Sequence, residues 1–317
     1  MAPLMEYRDI QKPVLKLLRQ TDAVMGRNIH SRDPLIRKLY ESTPVAKGKK
    51  IRSTFLFLLA ELNRMRSSDL PRIAAAIEMF HLSSLVHDDV IDNSQWRRGD
   101  KTANSNFGSH LSVLWGDYLF INSMNMINEL DRKVVTDTLV PVSRQMIEGQ
   151  IFEYENSFNY RLEPKSYLNI IRKKTASLFE GIARIVWRMK AEANGKEEDF
   201  AGFGRNFGLM FQISDDLLDI FSGNSGKDHF RDLKEGKVTL PYILFLKCQP
   251  FEVLRDLSEG QEVRLLELFR ENRIEELSRK SIRRYHRNTS RFLNGFGDSP
   301  FKTSFQNLLD FIGCRDY

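Results

Sequence analysis

The chain has 317 residues, 41% hydrophobic and 28% charged, which excludes collagenous, low-complexity and disordered classes and leaves a globular protein with a substantial core. Its 48 Lys and Arg against 42 Asp and Glu give a net charge of +6, compatible with nucleic acid, an anionic membrane surface, a polyanionic small substrate or a plain solvated basic surface. Two distant cysteines, Cys248 and Cys314, argue against a disulfide framework or zinc site and fit a reducing cytoplasm. The charged N-terminus argues against a secretory signal, and no apolar run is long enough to span a bilayer.

In chain order, the periodicity predicts helices over residues 8–25, 72–92, 111–130, 166–190, 200–221 and 238–247, with no run of strict alternation. In the first of these, Ile10, Val14, Leu17, Leu18 and Val24 recur at helical spacing. Short polar breaks fall at Thr43–Gly48, Asn93–Gly108, Asn159–Pro164 and Ser222–Gly236. No linker, repeat or composition shift divides the chain. The expectation is one all-α domain over residues 1–317 with about ten helices.

Two predicted helices end in acidic motifs. Val86-His87-Asp88-Asp89-Val90-Ile91-Asp92 and Ile213-Ser214-Asp215-Asp216-Leu217-Leu218-Asp219 each place carboxylates at i, i+1 and i+4 among apolar residues. Residues i and i+4 share a helix face, so Asp88 with Asp92 and Asp215 with Asp219 present like charges side by side. That arrangement destabilises a helix unless something compensates it. One such motif could be a solvated acidic turn. Two, more than a hundred residues apart and both bounded by apolar side chains, point to a divalent cation. Magnesium prefers oxygen donors, keeps waters, and takes one or two carboxylates plus substrate phosphates.

Basic groups accompany the acidic motifs. Lys47-Gly48-Lys49-Lys50-Ile51-Arg52 opens an apolar helix, a position suited to phosphate. Arg97 and Arg98 follow the first acidic motif, and Lys173, Lys174, Lys227 and Lys237 flank the second. Singly each is an ordinary surface charge; with both acidic motifs they indicate a diphosphate and magnesium site. Basic residues that bind nucleic acid cluster with aromatics on one face, whereas these alternate with acidic motifs, so no nucleic-acid partner is expected.

Seven blocks in order make the chain resemble the trans-prenyltransferase (polyprenyl diphosphate synthase) family over roughly residues 40–245. They are Gly48-Lys49-Lys50-Ile51-Arg52, Ile77-Glu78-Met79-Phe80-His81 with His87-Asp88-Asp89, Arg97-Arg98-Gly99, Gly116-Asp117-Tyr118-Leu119, Lys174-Thr175-Ala176, Gln212-Ile213-Ser214-Asp215-Asp216, and Asp232 to Pro241. The resemblance implies an antiparallel helical bundle around a central cavity, as a homodimer. It implies that Lys49, Arg52, His81 and Arg98 hold isopentenyl diphosphate. Arg97, Lys174, Thr175, Gln212, Lys227 and Lys237 would hold the allylic diphosphate, with Lys174, Thr175, Gln212 and Lys237 next to the chemistry. Asp88, Asp92 and Asp215 would be the main magnesium ligands, supported by Asp89, Asp216 and Asp219, with three ions per substrate-bound site. His81 lies two turns before Asp88 on nearly the same face, an independent point in favour.

Three positions depart from the family pattern: Ser53 for a usual proline, Lys50 for a frequent arginine, and Phe230 for a common glycine. The implied reaction is ionisation, condensation and elimination. Terpene cyclases lack the Gly-Lys-x-x-Arg block, and non-catalytic partner subunits lose aspartates that this chain retains. Above Asp88, Ser84 and Ser83 stand where short-chain members carry aromatic rings. A long product is therefore expected, for a quinone side chain or similar lipid delivered to a membrane, unless Phe80 one turn lower forms the cavity floor. The alternatives are a short-chain farnesyl or geranylgeranyl synthase, or a subunit of a heteromeric enzyme.

Overall fold

A computed structural model of the chain describes residues 6–29, 31–43, 48–97, 99–190, 195–221, 230–256 and 262–313. They gather into two compact units, Glu6–Asp137 and, from Thr138, the rest of the described chain. The class is all-α as expected. Among the described residues the only strands are the pair Trp96–Arg97 and Asp100–Lys101, antiparallel with Trp96 opposite Lys101.

The first unit holds α1 (Tyr7–Gln11), a 3₁₀ turn (Lys12–Val14), α2 (Leu15–Ile29), α3 (Pro34–Ser42), α4 (Ile51–Leu62), α5 (Leu70–Ile91), α6 (Ala103–Phe107) and α7 (Ser109–Glu129). Pro13 explains why the predicted 8–25 helix breaks: it tightens the chain between α1 and α2. In α4 and α5 apolar side chains point in every direction, which is the pattern of buried helices. α5 packs on α7, α2 and α4.

α8 (Lys133–Glu155) crosses the boundary. The second unit continues with α9 (Pro164–Ile171), a π-helical turn (Arg172–Ala176), α10 (Ser177–Arg188), α11 (Glu197–Phe221), α12 (Arg231–Lys234), α13 (Leu240–Leu246), α14 (Phe251–Asp256), α15 (Glu262–Glu271), α16 (Ile274–Leu293) and α17 (Pro300–Gly313). α11 is its centre, packed on α10, α16 and α17. Two glycines permit this: a Cβ at Gly204 would meet the Phe179 carbonyl oxygen at 2.3 Å, and one at Gly208 would meet Ala176 Cα at 2.5 Å. Phe203, Phe207, Phe292 and Phe305 fill the space around α11. Among the described residues no helix is long and apolar enough to cross a membrane, and Cys248 is a free, exposed thiol. Cys314 lies outside the described residues.

Candidate active site

The first acidic motif occupies the last turn of α5, with Asp92 as its C-cap. Carboxylates there face the negative end of the helix dipole, which compounds their mutual repulsion and favours a cation. Asp88 and Asp92 are half-buried, whereas Asp89 is 5% exposed. The short hairpin turns Arg97 back over the motif, where Nε and Nη2 both donate to Asp89 Oδ1, at 2.8 and 2.7 Å. Asp89 and Arg97, expected at a metal and at a diphosphate, are thus brought together with each other. The buried carboxylate is neutralised by its own chain, and Asp88 and Asp92 remain the metal-facing candidates.

The basic segment before α4 is held from several sides. Gln11 donates to the Lys49 carbonyl at 3.0 Å and to Thr54 Oγ1 at 2.9 Å. Lys50 adopts a left-handed conformation at the helix N-cap and pairs with Asp22. Ser53 donates both its backbone N–H (3.0 Å) and its hydroxyl (2.7 Å) to Glu78 Oε1. A proline, usual at this place in the family, has no N–H and could not make the first bond. Arg52 opens α4 and His81 lies on α5, both half-buried. The Gly116-Asp117 block also has a local reason: a Cβ at Gly116 would fall 2.2 Å from His87 Nε2, and that nitrogen lies 3.3 Å from Asp117.

Of the proposed chain-length residues, Ser83 is seated against α7, its hydroxyl donating to the Gly116 carbonyl at 2.8 Å. That is a packing position. Ser84 bonds back to the His81 carbonyl at 2.8 Å and is half-buried, on the Asp88 side of the helix. Phe80 is buried, its ring 5.9 Å from that of Phe120. A test of product length therefore passes from Ser83 to Ser84.

The second acidic motif lies near the C-terminus of α11. Here the structure links Thr175, Gln212 and Asp216 in one chain. The Thr175 hydroxyl donates to Gln212 Oε1 at 2.7 Å, and Gln212 Nε2 donates to Asp216 Oδ1 at 2.9 Å. Tyr167 donates its hydroxyl to the other oxygen, Oδ2. Thr175 and Lys174 sit in the π-helical turn, a distortion that recurs at functional sites. Its close approach to α8 needs Gly149, where a Cβ would meet Lys174 N at 2.5 Å. Lys174 Nζ is held by Glu153 at 2.5 Å, and Lys237 Nζ by Glu235 at 2.6 Å.

Asp219 accepts backbone N–H bonds from Arg231 (3.1 Å) and Asp232 (3.2 Å), so it caps the short helix α12. Burial raises the Asp219 carboxyl from the usual 3.8 to about 6, against the opposing pull of those two amides. Burial also pushes Asp216 and Asp232 well above the carboxylate range, each further raised by a neighbouring carboxyl. Phe230 takes the left-handed conformation (φ 59°) that glycine enters freely and that costs other residues about 1–2 kcal/mol. Its ring is 2% exposed and packs 5.9 Å from Phe269, burial that offsets this cost. Arg98 and Lys227, and Lys47 of the first basic block, lie outside the described residues.

The donors of both motifs are oxygen only, the set preferred by a hard dication. Among the described residues no three His, Cys, Asp or Glu side chains already converge as a cage.

A polyprenyl synthetase family profile matches residues 33–271. The chain belongs to that family. It is 33% identical over 224 residues to an octaprenyl diphosphate synthase of Escherichia coli, 70% of this chain and 69% of the relative. Its fold matches a Caulobacter crescentus polyprenyl synthase solved with calcium and isoprenyl diphosphate, with TM-score 0.91, 27% identity and 99% of each chain covered. A decaprenyl diphosphate synthase from Rhodobacter capsulatus matches with TM-score 0.89 and 25% identity over 98% of this chain and 99% of that one. As a member of the polyprenyl synthetase family, this chain is a prenyltransferase.

Several residues that hold one or other of these segments are not evident from the sequence: Gln11, Asp22 and Glu78 in the first unit, Glu153 and Tyr167 in the second. Each acts through a contact more than twenty residues away, which periodicity does not reveal. Only Glu78 carried a signal, since it lies within one of the seven blocks.

Proposed function

We propose that this prenyltransferase is a long-chain, all-trans polyprenyl diphosphate synthase that condenses isopentenyl diphosphate with an allylic diphosphate. The observation that carries the reading is the pair of oxygen-only acidic motifs, each ending a buried helix beside basic side chains, in a chain related to octaprenyl and decaprenyl diphosphate synthases.

On this reading Lys49, Arg52, His81 and Arg98 grip isopentenyl diphosphate. Arg97, Lys174, Thr175, Gln212, Lys227 and Lys237 grip and orient the allylic diphosphate. Glu153 and Glu235 aim the ammonium groups of Lys174 and Lys237. Magnesium, three ions when bound by Asp88, Asp92 and Asp215 with Asp89, Asp216 and Asp219 in support, supplies the Lewis acidity that stabilises the departing diphosphate. Apolar side chains exclude water from the allylic cation while the isopentenyl double bond attacks it. The diphosphate released takes the proton lost, so no side-chain base is needed.

The working form is a homodimer. Two sets of exposed apolar residues support it: Val140, Ile147, Ile151 and Tyr154 on one face of α8, and Leu114 and Ile121, one face of α7. The product feeds a membrane lipid from the cytoplasm, where both cysteines stay reduced. Chromatography of the products made from radiolabelled isopentenyl diphosphate and farnesyl diphosphate tests the reading. A product beyond geranylgeranyl diphosphate is expected from the purified chain with magnesium, and Ser84→Phe should shorten it. Wild type stopping at farnesyl or geranylgeranyl diphosphate would refute the long-chain assignment; no product without a second subunit would refute the homodimer.

A further inference from the structure

Among the described helices, α16 carries the most basic side chains. It carries Arg279, Lys280, Arg283, Arg284, Arg287 and Arg291, with Glu275 and Glu276 confined to its first turn. Ile274, Ser278, Ile282, Thr289 and Leu293 are buried. Lys280, Arg284, Arg287 and Arg291 recur at i, i+4, i+7 and i+11, forming one stripe on the opposite side, and Arg283 flanks it. All five are exposed. Arg279, nearer the core, is taken by Glu275 at 2.9 Å, but among the described residues none of the five has an ion pair or side-chain hydrogen bond.

On α10 and α11 of this unit, arginines are paired. Arg184, Arg188 and Arg205 share Glu180, Glu197 and Glu198 at 2.7–3.0 Å. The stripe instead stacks like charges at spacings of three and four, which weakens a helix. That repulsion is relieved when an anion lies along the stripe. A row of about 16 Å along a convex helix face does not converge on a small anion; it matches an extended one. The rings that would stack on bases face the other way. Tyr285 and Phe292 lie on the packed side, and Phe292 stacks on Phe203 at 4.4 Å. Charge without rings is the chemistry that anionic headgroups recognise.

We propose that the outward face of α16 is a peripheral docking surface for an anionic phospholipid bilayer. Docking would bring the enzyme to the only phase that accepts a long polyprenyl chain, a link that rests on the long-chain reading; the surface itself does not.

Sedimentation of the full-length chain with vesicles tests this. Vesicles of phosphatidylcholine with about 30% phosphatidylglycerol should bind it, and pure phosphatidylcholine vesicles should not. Binding should fall as salt rises and screens the exposed charges. Lys280→Gln, Arg284→Gln and Arg287→Gln together should lower partitioning on the order of a hundred-fold, at about fivefold per basic side chain. Turnover of a water-soluble allylic primer without vesicles should stay at the wild-type level, which also certifies the fold. Arg284→Lys with Arg287→Lys keeps the charge and should keep the binding, and it guards against loss of fold in the triple variant. Equal binding by the triple variant, or wild-type binding that ignores phosphatidylglycerol, would overturn the proposal. So would single-stranded RNA that binds through these residues and displaces the vesicles at equal salt, which would make the partner a nucleic acid. A short product from a chain that still docks would sink the long-chain reading and leave the docking surface standing.

Discussion

At the end of α5, Asp89 is buried against the permanently charged guanidinium of Arg97; at the end of α11, Asp216 is buried against the neutral donors of Tyr167 and Gln212. The two motifs share one spacing, yet their middle carboxylates are satisfied by different chemistry. An arginine compensates a carboxylate at every accessible pH. Hydroxyl and amide donors do not, and Asp232 adds negative charge nearby, so burial and that neighbour push the Asp216 carboxyl well above its usual range, where a cation would favour its charged form. The first motif is therefore electrostatically finished on its buried side, while the second is poised by proton or metal.

The largest effects should appear where the motifs act alike. Asp88→Ala and Asp215→Ala should each lower turnover by at least about 10²–10³-fold, the scale of losing one preorganised electrostatic group. Far-UV circular dichroism should barely change, because removing a repelled carboxylate relieves the helix end. Near wild-type turnover of either variant at saturating magnesium would end the metal assignment.

Arg97 separates the motifs. Arg97→Ala strands the Asp89 charge and should destabilise the chain by about 2–3 kcal/mol, less than for a fully buried pair because Arg97 keeps some solvent contact. Arg97→Ala with Asp89→Asn should recover most of that loss in urea unfolding. A rise in the KM for the allylic substrate is expected beside that loss; if stability stays intact and only the KM rises, the arginine serves the substrate alone and not also the helix end.

The second motif should respond to pH. Asp219 has a folded-state pKa near 6, above its unfolded 3.8, so between these values the folded chain holds more protons than the unfolded one. Stability is therefore intact below about pH 4 as far as this group is concerned, and falls as pH rises through 6; Asp216 and Asp232 extend the fall upward. In EDTA the melting temperature should drop as pH rises from about 5 to 7.5, and magnesium should restore more at 7.5 than at 5. A magnesium gain independent of pH would show that the metal does not replace protons at this motif. Restoration unchanged in Asp215→Ala would locate the metal elsewhere.

Much of this was readable from the chain because its signals are local. Helix periodicity, the spacing of Asp88 and Asp92, and the order of the seven blocks need only neighbouring residues. The chain also carried the odd positions Ser53 and Phe230, but not their meaning: that Ser53 donates twice to Glu78, or that Phe230 turns left-handed and buries its ring beside Phe269. Ser83 shows the same limit. Its small size suggested an open cavity, whereas its hydroxyl closes α5 onto α7 at Gly116. The hairpin that returns Arg97 to Asp89 was hidden because two-residue strands leave no alternating pattern.

The smallest effect expected is at Tyr167. Its hydroxyl is buried and donates to Asp216, while Gln212 holds the opposite oxygen from a neighbouring turn of the same helix. Tyr167→Phe keeps the ring that fills the core and deletes one of the two donors, so the carboxylate retains a partner and the cost should be about 1 kcal/mol. Because Tyr167 acts through Asp216, the loss should fall on the metal and not on the chemical step. The magnesium concentration for half-maximal turnover should rise about fivefold, the equivalent of that energy, with kcat near wild type once magnesium saturates. Gln212→Ala removes the donor that also links Asp216 to Thr175, and should move both magnesium dependence and the KM for the allylic substrate. If Tyr167→Phe lowers kcat at saturating magnesium as much as Gln212→Ala does, the tyrosine contacts the reacting groups, and the second motif is then no mere counterpart of the first.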